Sequence, residues 1–128
     1  MTELDYQLRF IEEQIKVMSS IIHADNQHWW IDIDTGEHKE RNVGEMLMLC
    51  VSELAEAMEG HRKDLMDTHL PQEKMFDVEL ADVFIRLLDI AVGTKVDLGK
   101  MVRLKLVYNR TRPDHTMEAR RMENGKKY

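Results

Sequence analysis

The sequence predicts an all-α protein, a bundle of about four main helices, and three observations carry that expectation. Apolar residues recur at three- and four-residue spacings through most of the chain, which is the period of a helix and not of a strand. The periodic stretches stop near Gly60, Pro71, Gly93 and Pro113, the residues that punctuate helices. Two stretches, GEMLMLCVSELAEAMEG and VELADVFIRLLDIAVG, are apolar around nearly their whole circumference when wound as helices. A helix of that kind is a buried one.

Residues 3–23 form the first expected helix. Leu4, Leu8, Ile11, Ile15, Met18 and Ile22 alternate spacings of four and three, a stripe that suits packing within the domain or an oligomer seam. The stretch 23–42 has no helical period. His23, Asn26, His28, Trp29 and Trp30 gather aromatic and polar groups there, the materials of a surface for a planar base. Asp32-x-Asp34-x-Gly36 places its glycine one position early for a calcium loop and lacks the closing glutamate, so it reads as a polar turn. His38, Lys39 and Arg41 could reach phosphate from this loop.

Asn42 is placed to cap the next helix, with Glu45 three residues on as in a capping box. The polar connection 61–74 follows Gly60, and its His61 and His69 are expected to be exposed. The second acidic helix stops at Gly93. A further helix runs from Val96 to Asn109, with Lys105, Asn109 and Arg112 in one polar line before Pro113 forbids continuation. A lysine, an amide and a guanidinium fork in line suit phosphate oxygens.

With 128 residues, 43% of them apolar and 33% charged, the chain fits one soluble domain over 1–128, with 114–128 expected to be a flexible tail. A net charge of −6 gives no footprint for nucleic acid. The single Cys50 forms no intrachain disulfide. Neither a signal peptide nor a membrane span of ~20 apolar residues is legible, so a cytoplasmic protein without membrane contact is expected.

The two mostly apolar helices each carry an acidic pair, Glu53-x-x-Glu56 and Glu79-x-x-Asp82. Two like charges about 4 Å apart repel by roughly 4 kcal/mol at an effective dielectric of 20. Burying four of them calls for protonation, pairing or a cation. An all-oxygen set without His or Cys favours Mg²⁺ or Mn²⁺ over zinc or iron.

Glu53-x-x-Glu56, then residues 57–78, then Glu79-x-x-Asp82 resembles the signature of the MazG-like all-α NTP pyrophosphatases. The similarity runs from the Trp29-Trp30 region through ERNVGEMLMLCVSELAEAMEG to YNRTRP, and the closing GKKY adds to it. The resemblance implies hydrolysis of a (deoxy)nucleoside triphosphate to the monophosphate and pyrophosphate, by attack of a metal-activated water on the α-phosphorus. It implies that Glu53, Glu56, Glu79 and Asp82 hold Mg²⁺, two or three ions per site with Mn²⁺ able to substitute, and that Glu53 also orients or deprotonates the water. It further assigns Lys105, Asn109 and Arg112 to phosphate, Asn26 and Trp30 to the base, and a homodimer or homotetramer to the assembly. It does not name the base. Lys126 and Lys127 lie beyond a tail longer than the resembled pattern. Two other readings stay open: a non-catalytic helical oligomerisation protein with the acids on its surface, and a di-iron carboxylate bundle. The second would use Glu-x-x-His motifs, and neither pair ends in His.

Overall fold

The computed structural model describes residues 1–128, and it is all-α with four long helices and no strands. In chain order these are α1 (Glu3–Asp25), α2 (Val43–Lys63), α3 (Met75–Gly93), α4 (Leu98–Thr111) and a short α5 (Met117–Arg121). Two 3₁₀ turns, Gln27–Trp30 and Pro113–His115, precede α2 and α5. No helix is long and apolar enough to cross a membrane.

α2, α4 and α5 each begin where the sequence supplies a side-chain cap, whereas α3 starts after Lys74 without one. Asn42 Oδ1 accepts from the Glu45 amide at 2.9 Å, Asp97 Oδ1 from the Lys100 amide at 3.1 Å and Thr116 Oγ1 from the Ala119 amide at 3.1 Å. α2 does not stop at Gly60 as expected. It runs to Lys63 and ends on Asp64, which adopts the left-handed conformation at φ 50°. Gly60 is instead buried inside the helix, beside Met75 of α3. The connection is closed by an antiparallel bridge between Met66 and Lys74. The acidic motif at 32–36 is the polar turn the sequence predicts: Asp32 Oδ1 accepts from the amides of Asp34 and Thr35, both at 2.9 Å.

The backbone forms two compact units. One comprises residues 18–96 and is dominated by α2 packed on α3. Its core gathers Trp30, Met46 and Ile90, with Cys50 against them. Gly93 lets the Trp30 ring lie directly on the α3 backbone, where any β-carbon would strike it. The other unit comprises residues 1–17 and 97–128. There α4 meets α1 at Gly99, whose missing side chain admits the Glu12 carbonyl oxygen, and Arg103 pairs with Glu12. The tail, expected to be flexible, folds locally: Arg120 donates to the Lys126 and Lys127 carbonyls, and Lys127 Nζ donates to those of Arg120 and Met122.

The helix faces fall differently from the simplest reading of the sequence. Leu47, Val51, Leu54 and Met58 line one side of α2, a helix expected to be buried all round, yet each is about half exposed in the chain, Leu54 at 48%. Leu80, Phe84 and Leu87 of α3 are similarly open. The side of α2 that carries Glu53 is the inner one, since Met46, Ala57 and Gly60 on that side are buried. Likewise the stripe on α1 contains buried Leu8 and half-buried Ile15, Met18 and Ile22, while Tyr6, Phe10, Val17 and Ile21 form a second, exposed line.

The close approach at Gly93 yields a direct test. Gly93→Ala should force the Trp30 indole off the α3 backbone and destabilise the fold by about 1–3 kcal/mol, the usual cost of overpacking. Urea unfolding should show the midpoint fall with the slope unchanged. An unaltered midpoint would show that the ring does not rest there.

Candidate metal centre and its cleft

α2 and α3 bring carboxylates together across their interface. One oxygen each from Glu53, Glu56 and Glu79 lies within 4.8 Å of the others. Glu79 is 8% exposed, Glu53 is half-buried and Glu56 opens to solvent. Glu79 Oε2 is shut off from solvent and meets no hydrogen-bond donor. The cluster therefore contains three of the four expected acids. Asp82, one turn further along α3, is half-buried and sits outside the triad, but it lines the same cleft as Glu53.

The electrostatics follow from this crowding. Burial pushes the Glu79 carboxyl up, a hydrogen bond with Glu53 and the charges of Glu56, Glu53 and Asp82 push the same way, and together they raise it to about 8. Glu79 therefore holds its proton well above the ordinary carboxylate range. Burial works to raise Glu53 as well, but hydrogen bonds from Glu79 and Arg86 outweigh it and hold that carboxyl below its ordinary range. Asp82 is raised, first by burial and then by the Glu53 charge. Arg86 is the cation in direct contact with the cluster, its Nε donating to Glu53 Oε1 at 2.9 Å.

The cleft beside the cluster has a volume of about 570 Å³ and belongs wholly to the 18–96 unit. Asn26, Trp29, Lys39, Arg41 and Arg86 contribute to its walls together with Glu53 and Asp82. Asn26 Nδ2 donates to the Ile22 carbonyl at 2.8 Å, which leaves its Oδ1 as the atom able to accept from a ligand. The two tryptophans part company. Trp29 is 57% exposed on the cleft, whereas Trp30, the expected stacking surface, is 3% exposed in the core. The Trp30 indole N–H donates to both oxygens of buried Asp89, at 3.2 and 3.1 Å. Asp89 Oδ1 also accepts from His23 Nδ1 at 2.7 Å, so His23, Trp30 and Asp89 form one hydrogen-bonded group, of which Asp89 lines the cleft. Arg41 lies 5.5 Å from the centre of the Trp30 ring.

The phosphate candidates Lys105, Asn109 and Arg112 lie in the other compact unit. Lys105 Nζ sits 4.7 Å over the Tyr108 ring and the Arg112 guanidinium 5.6 Å from it. Arg112 also grips Asp114 with two bonds, of 3.0 and 2.7 Å, which hold the Asp114 carboxyl far below the carboxylate range. Asn109 Oδ1 is buried without a donor.

The sequence places Arg86 in one stripe of α3 with Glu79, Asp82 and Asp89 but assigns it no role, although its position one turn after Asp82 was a usable signal. The His23–Asp89 contact spans 66 residues of sequence and left no local trace. No family model, curated protein or solved structure matches the chain.

The raised Glu79 carboxyl makes metal-free stability depend on pH. Above its ordinary value of 4.5 the unfolded chain has lost this proton while the folded protein retains it up to about 8. Folding then takes up a proton, so this contribution lowers stability as pH rises through that window. In chelator, the wild-type melting temperature should fall between pH 5 and pH 8 by more than that of Glu79→Gln, which is neutral throughout (~4.5 to ~8 being the titrating range). Parallel profiles for the two proteins would contradict the assignment.

Proposed function

We propose that the chain is a metal-dependent nucleoside triphosphate pyrophosphohydrolase of the MazG-like kind, releasing monophosphate and pyrophosphate. The observation that carries this reading is Glu79 Oε2, a buried oxygen with no donor, set among the carboxylates of Glu53 and Glu56. A buried acceptor without a partner costs stability, and a divalent cation satisfies it. The donor set is all oxygen, hard and crowded, which fits Mg²⁺ with Mn²⁺ as its substitute. Glu53, Glu56 and Glu79, joined by Asp82 from the cleft wall, would hold it. When bound, the cation supplies charge neutralisation of the phosphates and acidification of water.

The protein's own groups then divide the work. Glu53 stays ionised at neutral pH, so it orients the attacking water and accepts its proton. The water oxygen bonds to the α-phosphorus as the bond to the α–β bridging oxygen breaks, and pyrophosphate leaves with that oxygen. Lys39 and Arg41 face the phosphates from the cleft wall. Lys105, Asn109 and Arg112 are assigned to the leaving pyrophosphate by resemblance alone. Trp29 offers its exposed face to the base and Asn26 Oδ1 accepts from the base edge, while Trp30 supports the wall from behind. The half-exposed apolar face of Leu47, Val51, Leu54 and Met58 with Leu80, Phe84 and Leu87 supports a homo-oligomer. A cytoplasmic setting accords with the single, unpaired Cys50.

The test is product analysis over the common NTPs and dNTPs with Mg²⁺ in ¹⁸O-labelled water. Monophosphate carrying the label, with pyrophosphate, is expected, and Glu53→Gln should lower kcat by about 10³-fold or more while leaving the helical content intact. Orthophosphate and a diphosphate as first products, or a fully active Glu53→Gln, would refute the proposal.

A further inference from the structure

Arg86 has a second half that the carboxylate cluster does not use. Its Nε donates to Glu53 Oε1 at 2.9 Å, and its side chain remains 38% exposed. A guanidinium is a planar fork with five N–H donors, and an acceptor bound at Nε leaves the end-on edge, NH1 with NH2, available to another oxyanion. Arg86 lines the cleft together with Lys39 and Arg41, so three cations share walls with the carboxylates Glu53 and Asp82. A site with both signs of charge is suited to a polyanion that arrives with divalent cations. The carboxylates would face the cations and the basic groups the anion.

We propose that Arg86 is a triphosphate-binding residue, anchored through Nε to Glu53 and presenting its end-on edge to non-bridging phosphate oxygens. This deepens the pyrophosphohydrolase reading and rests on it. The anchor sets the direction of the fork, because a side chain fixed at one edge loses fewer rotamers when the other edge binds. It also ties phosphate recognition to Glu53, so the acid assigned to the water and the cation assigned to the anion move as one body. The plain alternative is that Arg86 only neutralises Glu53. The two roles differ in what a substitution does to cation binding and to anion binding.

The experiment compares wild type, Arg86→Gln and Arg86→Lys, using Mn²⁺ alone and then inorganic triphosphate in the presence of saturating Mn²⁺, both by calorimetry. Triphosphate carries no base, so the base pocket does not enter. Arg86→Gln should keep Mn²⁺ affinity within about threefold and lose about 10- to 100-fold in triphosphate affinity, the scale of a charge-assisted hydrogen bond. Arg86→Lys, which keeps the charge and loses the fork, should recover only part of the loss. Unchanged triphosphate affinity in Arg86→Gln, or full recovery in Arg86→Lys, overturns the forked-grip assignment. A change in triphosphate affinity that merely follows an equal change in Mn²⁺ affinity assigns Arg86 to Glu53 alone and also overturns it. If wild type binds neither probe, the pyrophosphohydrolase reading fails together with the proposal. Far-ultraviolet circular dichroism and the melting temperature establish that both variants fold.

Discussion

Mutual repulsion among carboxylates at the α2–α3 interface is the constraint on which the 18–96 unit depends. Glu53, Glu56 and Glu79 bring oxygens within 4.8 Å, and Asp82 adds its field from the cleft. Without compensation that arrangement would force the helices apart. Two devices relieve it: Glu79 keeps its proton, and the Arg86 guanidinium sits on Glu53. The relief is incomplete, because Glu79 Oε2 still lacks a donor. Natural interiors hold few such atoms, and each asks for a reason. Here the reason offered is a ligand, a cation that replaces the proton.

The surrounding packing is organised to keep that cluster in place. Trp30 lies on the α3 backbone at Gly93 and bonds Asp89, which in turn bonds His23. Asp89 is buried yet fully engaged, in contrast to Glu79, which is buried and is not. Two acids on one helix thus differ: Asp89 has its donors and Glu79 Oε2 has none. The outward apolar faces of α2 and α3 complete the picture. Beside the buried Met46, Leu88 and Ile90 the pair also turns Glu79 and Asp89 inward, and it leaves Leu47, Met58 and Phe84 about half exposed, an arrangement that association would cover.

Much of this was legible in the sequence because it is local. The all-α class and the capping by Asn42 follow from residues three and four apart, and so does the placing of Glu53 with Glu56 on one side of α2. What escaped was set by partners distant in sequence. Trp29 and Trp30 are adjacent, and partners distant in sequence, the Asp89 carboxylate 59 residues from Trp30 and the bare α3 backbone at Gly93, favour burying Trp30. The inward side of α2 could not be chosen from its own apolar residues, since both sides carry them and α3 makes the choice. Gly60 looked like a stop, but its missing side chain serves the approach of Met75 inside the helix. Asp82, the second acid of its pair, lies outside the Glu53–Glu56–Glu79 triad and on the wall of the cleft it shares with Glu53.

The most direct measurement counts protons. Mn²⁺ is titrated into the protein at pH 7 by calorimetry in buffers of different ionisation enthalpy, so that the protons released on binding are obtained from the slope. A neutral Glu79 that becomes a ligand must give up its proton, so the account predicts release of about one proton per site, and markedly less from Glu79→Gln. Binding without proton release would contradict a protonated Glu79 at the cluster, and no binding at all would remove the metal centre on which the proposed function stands.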